Sequence, residues 1–110
     1  MIVTTTNEIP GQRTVKVLGV ARGAAIRSRH FGHSLLAFFR GLVGGEIVDY
    51  TKVIAETREQ AFDRMVDDAK RMGANALLAV RFSGVEVMKN AAEIVVYGTA
   101  AVIEELKQEE

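Results

Sequence analysis

His30 and His33 are the only two imidazoles in the chain, and they stand three residues apart. On a helical turn that spacing puts both rings on one side, where neutral nitrogens could hold a divalent transition metal such as zinc, copper or nickel. A closed site needs a third and a fourth ligand, and none lies close in sequence. Glu46 or Asp49 would have to supply them, or several copies of the chain meeting around an axis. The sequence contains no cysteine, which removes thiolate metal sites and disulfides alike. Surface or capping roles are therefore the plainer expectation for both histidines.

Other reactive residue types are present without the spacing that chemistry needs. Gly41-Leu42-Val43-Gly44-Gly45 has the composition of a phosphate loop. Its glycines end an apolar-periodic segment, however, and anions gather at the positive N-terminus of a helix. Glu56, Glu59, Asp63, Asp67 and Asp68 could be read as paired acid and base, but acidic residues at helical spacing describe a solvated face. Ser28, Ser34 and Ser83 have no histidine and carboxylate placed as a triad. The segment from Arg22 to His33 reads as a basic loop between a strand and a helix, in which Arg22, Arg27 and Arg29 could bind a small anion.

The elements that must position these residues follow from composition and period. The 110 residues, 48% of them hydrophobic, make one domain over 1–110 with one modest core. Lysine and arginine number 14, aspartate and glutamate 14, for a formal charge of zero. That leaves no basic field for nucleic acid or anionic lipid and little repulsion against self-association. The start lacks a signal-like basic and apolar run, and no apolar stretch is long enough to span a bilayer, so a cytoplasmic protein is expected.

Ile2-Val3-Thr4-Thr5 reads as a first strand and Thr14 to Ala21 as a second, in which Gly19 and Gly23 signal a bend or the close approach of another backbone. Phe31, Leu35, Phe38, Phe39 and Leu42 carry the stripe of a short helix over 30–43, with Leu36 and Val43 adding a second apolar line. A long helix of about 30 Å is expected from near Thr51 to Met72, capped by Asp49 or Thr51 and ended by a left-handed Gly73. Its buried face is Ile54, Ala61, Met65, Ala69 and Met72, widened by Phe62 and Val66. An Asp67–Arg71 pair lies on its outside.

A third strand follows over Ala76 to Phe82, with Ser83-Gly84 as a bend before Val85 to Met88. The last strand, Ile94 to Ile103, is uncharged along its whole length. A strand apolar on both faces must be covered on both, and a second copy of the chain could supply the missing layer. The polar residues 104–110 read as a frayed tail.

The threonine-rich start with Ile9-Pro10-Gly11, the strand Leu18-Gly19-Val20, Phe39-Arg40-Gly41-Leu42-Val43-Gly44-Gly45, Tyr50, Gly73-Ala74-Asn75-Ala76 and Gly98-Thr99-Ala100 together resemble the YbjQ-like family of small prokaryotic proteins. The ordered set covers nearly the whole chain. The resemblance implies an α+β subunit of ββααββ order, with an antiparallel sheet packed by a short and a long helix, assembled as a propeller-like ring, most simply a pentamer. It also carries the label "putative heavy-metal-binding" and no established activity. The resulting expectation is a binding or structural homo-oligomer and not an enzyme. The alternatives are a ring that binds metal or a small anion through His30, His33 and the nearby arginines, and an enzyme whose active site forms between subunits.

Overall fold

The computed structural model describes residues 1–28, 46–88 and 91–106, with side chains over 1–26, 52–85 and 93–106. Within these residues the order is β1 (Ile2–Val3), β2 (Gln12–Ser28), α1 (Glu46–Met72), β3 (Ala76–Met88) and β4 (Ala91–Glu105). The short helix expected over 30–43, and with it the second helix of the ββααββ order, lies outside the described residues. The strands form one sheet in the order β1-β3-β4-β2. The β2–β4 and β3–β4 pairs are antiparallel, but β1 pairs with β3 in parallel. The expectation of a purely antiparallel sheet is thus corrected to a mixed one, because the chain enters beside β3 only after the long crossover through β2 and α1.

Several boundaries differ from the sequence reading. β2 runs on to Ser28, so Arg22 and Arg27 belong to a strand and not to a basic loop. The run Gly23-Ala24-Ala25-Ile26 has no turn chemistry beyond its single glycine, and pairing with β4 carries it onward through Ser28 opposite Ala91. α1 begins at Glu46, so Asp49 and Thr51, expected as caps, fall inside it. Nothing in Glu46 to Tyr50 breaks a helix, and its 27 residues span about 40 Å. β3 is continuous through Ser83-Gly84, its register shifts lying instead between Leu78 and Arg81 and between Glu86 and Met88. Glu104 and Glu105, read as tail, close β4, where Glu104 pairs with Arg13.

α1 ends as Gly73 predicts. Gly73 has φ +89°, its N–H donates to Lys70 O (3.0 Å), and the Ala74 N–H donates to Ala69 O (3.0 Å). These are the two hydrogen bonds of a Schellman motif, and they satisfy carbonyls that a helix end otherwise leaves open. The Ala74 contact with the core that includes Ala69 completes it. Asn75 then acts as a surrogate strand residue: its side-chain amide donates to Ile103 O (2.9 Å) and accepts from the Ile103 N–H (2.8 Å).

The main core lies between α1 and one face of the sheet. Ala61, Met65 and Ala69 of α1 are fully buried against Ala21, Ala25, Val96 and Ala100, with Ile54, Phe62, Val66 and Met72 partly buried around them. Thr57 shares this line and is satisfied by donating its hydroxyl to Val53 O (2.6 Å). The contact is close because small residues meet. A Cβ on Gly23 would overlap Ala61 O, Met65 N and the Arg64 Cβ, so only glycine lets the helix backbone rest on β2 there.

Long strands and, among the described residues, a single helix give an extended subunit. Its radius of gyration is 18.5 Å, with extents of 69 × 24 × 19 Å, against about 13 Å for a compact chain of this length. Among the described residues, much of the sheet surface therefore has no second layer.

Candidate interaction surface

Among the described residues, the side of the sheet opposite α1 is covered at one end only. There Ile9 packs over Ala76, Leu78, Ala101 and Ile103, a second small core. The cover stops at a bulge in β3. Leu78 pairs with Thr99 and Arg81 with Tyr97, so Ala79 and Val80 together face Gly98. Ala79 takes the left-handed φ of 53°, and a Cβ on Gly98 would come within 2.8 Å of Val80 Cγ2 and 3.1 Å of Leu78 O. The bulge is clasped by the N-terminal segment: Ala79 N–H donates to Thr6 O (2.8 Å), Val80 N–H to Thr4 O (3.0 Å), and Arg81 Nη1 to Thr5 O (2.9 Å).

Beyond the bulge, and along β2 beside the covered end, this face has no cover among the described residues. Val17, Val20, Ile26 and Val85 are 62%, 66%, 60% and 56% exposed. Register shifts in β2 between Thr14 and Lys16 and between Val17 and Gly19 change the alternation expected along this strand, so that Val17 and Val20 fall on one face. At the centre, Arg81 of β3, Tyr97 of β4 and Arg22 of β2 are direct cross-strand neighbours in one row. All three are exposed. Neither the Arg22 guanidinium nor the Tyr97 hydroxyl has a hydrogen-bond or ion-pair partner among the described residues. Glu93 lies on this face of β4, four residues before Tyr97 and opposite Ile26.

The sheet edges are managed unequally. On the outer edge of β2, α1 reaches across: Asp68 Oδ2 accepts from the Arg22 N–H (3.1 Å), and Arg64 Nη1 donates to Ala24 O (2.6 Å). Asp68 thus spends its charge on an edge strand and on Arg71 (3.5 Å), correcting the expected Asp67–Arg71 pair. Glu59, Asp63 and Asp67 stay exposed on the opposite side of α1 from its buried line and have no ion-pair partner among the described residues. Glu59 and Asp63 border a shallow open groove along the helix with Ala55, Glu56, Gln60 and Arg64. Phe62 and Phe82 stack at 6.5 Å between α1 and β3, beside Arg58.

Of the residues singled out in the sequence, Arg22 stands on the bare face, and Arg27 is on β2 opposite Ala92. His30, His33, Arg29 and the Gly41–Gly45 segment lie outside the described residues. Ser83 is exposed on β3. Among the described residues no group of three or more histidine, aspartate or glutamate side chains is arranged to hold a metal. With no cysteine in the chain, the described donor set does not fit a heavy-metal centre. No described helix is long and apolar enough to cross a membrane.

A family model described as "Putative heavy-metal-binding" matches residues 1–104. A UPF0145 protein of Thermus thermophilus is 47% identical over 108 residues, covering 98% of this chain and 95% of the relative. A UPF0145 protein of Methanosarcina acetivorans is 48% identical over 103 residues, covering 94% and 97%. Neither name states an activity. A crystal structure of a DUF74-family protein of unknown function from Pediococcus pentosaceus superposes with a TM-score of 0.65 at 15% identity, covering 94% of this chain and 98% of that one, a likeness of fold alone. On the strength of the match along nearly all of its length, this chain belongs to the YbjQ-like, or UPF0145, family.

Proposed function

We propose that this protein works in the cytoplasm as a closed homo-oligomer with a binding or structural role, and that its own side chains do not perform catalysis. The observation that carries the reading is the bare sheet face, where Val17, Val20, Ile26 and Val85 are each more than half exposed around Tyr97. Apolar surface gathered this way on a small protein marks an interface. A ring buries such a face in every copy and leaves no apolar edge for further growth. Five copies in a propeller-like arrangement are the first choice, on the family resemblance.

Native mass spectrometry of untreated, untagged protein tests both stoichiometry and retained ligand. The expected result is a single closed species, with well under one equivalent of transition metal per chain. A stable monomer at micromolar concentration would sink the interface argument, and a dimer would remove the five-membered ring. Submicromolar zinc binding that disappears in the His30→Ala/His33→Ala variant would establish the metal-binding alternative instead.

A further inference from the structure

We propose that the bare sheet face of one copy seats the outward acidic line of α1 from a second copy, with Arg22 and Arg81 meeting Glu59, Asp63 and Asp67. The inference rests on the self-assembly reading and names the two surfaces that meet. The sheet face carries two guanidiniums at the centre of an apolar field. Covering them with apolar groups alone would leave buried charges uncompensated, which is strongly unfavourable. Covering them with the same face of another copy would set arginines near arginines. Glu93 is on the same face but four residues along β4 from that row, so a cover that compensates Arg22 and Arg81 brings carboxylates to its middle.

α1 offers them in a matching array. Glu59, Asp63 and Asp67 follow one another at i, i+4 and i+8, a line about 12 Å long at about 1.5 Å per residue. Arg22 and Arg81 stand on strands separated by β4, about 9.5 Å apart at the usual spacing between strands. Lys52 and Lys70 are exposed on α1 at either side of the acidic line, leaving its middle negative where the sheet is positive. A helix on a sheet face is also used on the subunit's other side, although there α1 runs along β2 and here it would cross the strands. Because the two surfaces differ, the contact is head-to-tail, the kind that closes into a ring.

Charge reversal tests this in the full chain. Arg22→Glu/Arg81→Glu, and separately Glu59→Lys/Asp63→Lys/Asp67→Lys, should each fall from oligomer to monomer mass in native mass spectrometry. Combining all five substitutions in one chain should restore the oligomer, because both surfaces are then reversed together. Arg81 also ties down Thr5, so Arg22→Glu alone is run as a second variant, with circular dichroism to confirm that each variant is folded. Its assembly constant should weaken by at least about tenfold, the equivalent of 1.4 kcal/mol. If the wild type is oligomeric and the folded reversed variants remain so, or if the combined variant stays monomeric, this pairing is wrong while self-assembly stands. A monomeric wild type would overturn both.

Discussion

The two faces of the sheet are built from alternate residues of the same strands, yet along β2 they invert the usual distribution of size, while Leu77, Val80, Ile94 and Val96 fill the core from β3 and β4. Under α1 lie Ala21, Gly23, Ala25 and Ala100, small residues that are fully or almost fully buried. On the opposite face stand Val20, Ile26, Val85 and Tyr97, large residues that remain exposed. A monomer gains little from keeping its bulky apolar groups in water while spending its smallest ones on the core, since burial stabilises by about 25 cal/mol per Å² of apolar surface. The small residues are explained by distance, because they let a helix backbone lie directly on the strand. The large ones make sense as half of a contact whose other half is another molecule.

Neighbouring positions on β2 give the sharpest way to break that contrast. Gly23→Val drives a branched side chain into the α1 backbone at Ala61 and Met65, where no rotamer change can make room. A destabilisation of about 3 kcal/mol or more is expected in denaturant melts. Ala24→Val, one residue along and on the exposed face, should change subunit stability by less than about 0.5 kcal/mol. Equal effects at the two positions would mean that the faces do not differ as described.

A smaller effect is expected where the outer face gains its cover among the described residues. Asn75→Ala removes both amide hydrogen bonds to Ile103 and leaves an N–H and a carbonyl unpaired beside the Ile9 core. At about 1 kcal/mol for each bond, the loss should be about 2 kcal/mol in the same melts. A change under 0.5 kcal/mol would show that water replaces the amide without cost. Gly73→Ala places a β-carbon at φ +89° and should cost about 1 kcal/mol. A neutral result there would mean that the Schellman end of α1 tolerates a side chain.

These positions also show how much of the molecule the sequence made legible. The α1 face was readable because a 3.6-residue period over many turns leaves little ambiguity, and Ala61, Met65 and Ala69 are buried as the pattern predicts. Gly73 was readable because a helix stop has local chemistry. Gly23 was readable only as a close approach to something unnamed. The faces of β2 were not, since two register shifts change the alternation and a bulge leaves no reliable mark in a run of valines. The row Arg22, Tyr97 and Arg81 was also hidden: it joins residues up to 75 positions apart in sequence through cross-strand register. Only the lone tyrosine in the uncharged run Ile94 to Ile103 hints at it. Reading Arg22 as part of a basic loop failed for a related reason, because alanine-rich segments lack strong strand propensity and this one is held extended by β4.

The smallest expected effect concerns the residue that divides covered from bare. Ala79 sits at φ 53° in a bulge whose N–H is held by Thr6, and the left-handed region costs a residue with a β-carbon about 1–2 kcal/mol. Ala79→Gly relieves that strain but gives the unfolded chain more freedom, which costs about 0.5–1 kcal/mol. The two terms oppose, and strain relief is the larger, so a stabilisation of about 0.5 kcal/mol is expected. The sign is informative because it reverses that of Gly73→Ala, although both positions have positive φ. If Ala79→Gly destabilises by 1 kcal/mol or more, the methyl group contributes packing at the boundary that outweighs its strain. The limit between the two parts of the outer face would then be set by side-chain contact at Ala79 and not by the backbone clasp from Thr4 to Thr6.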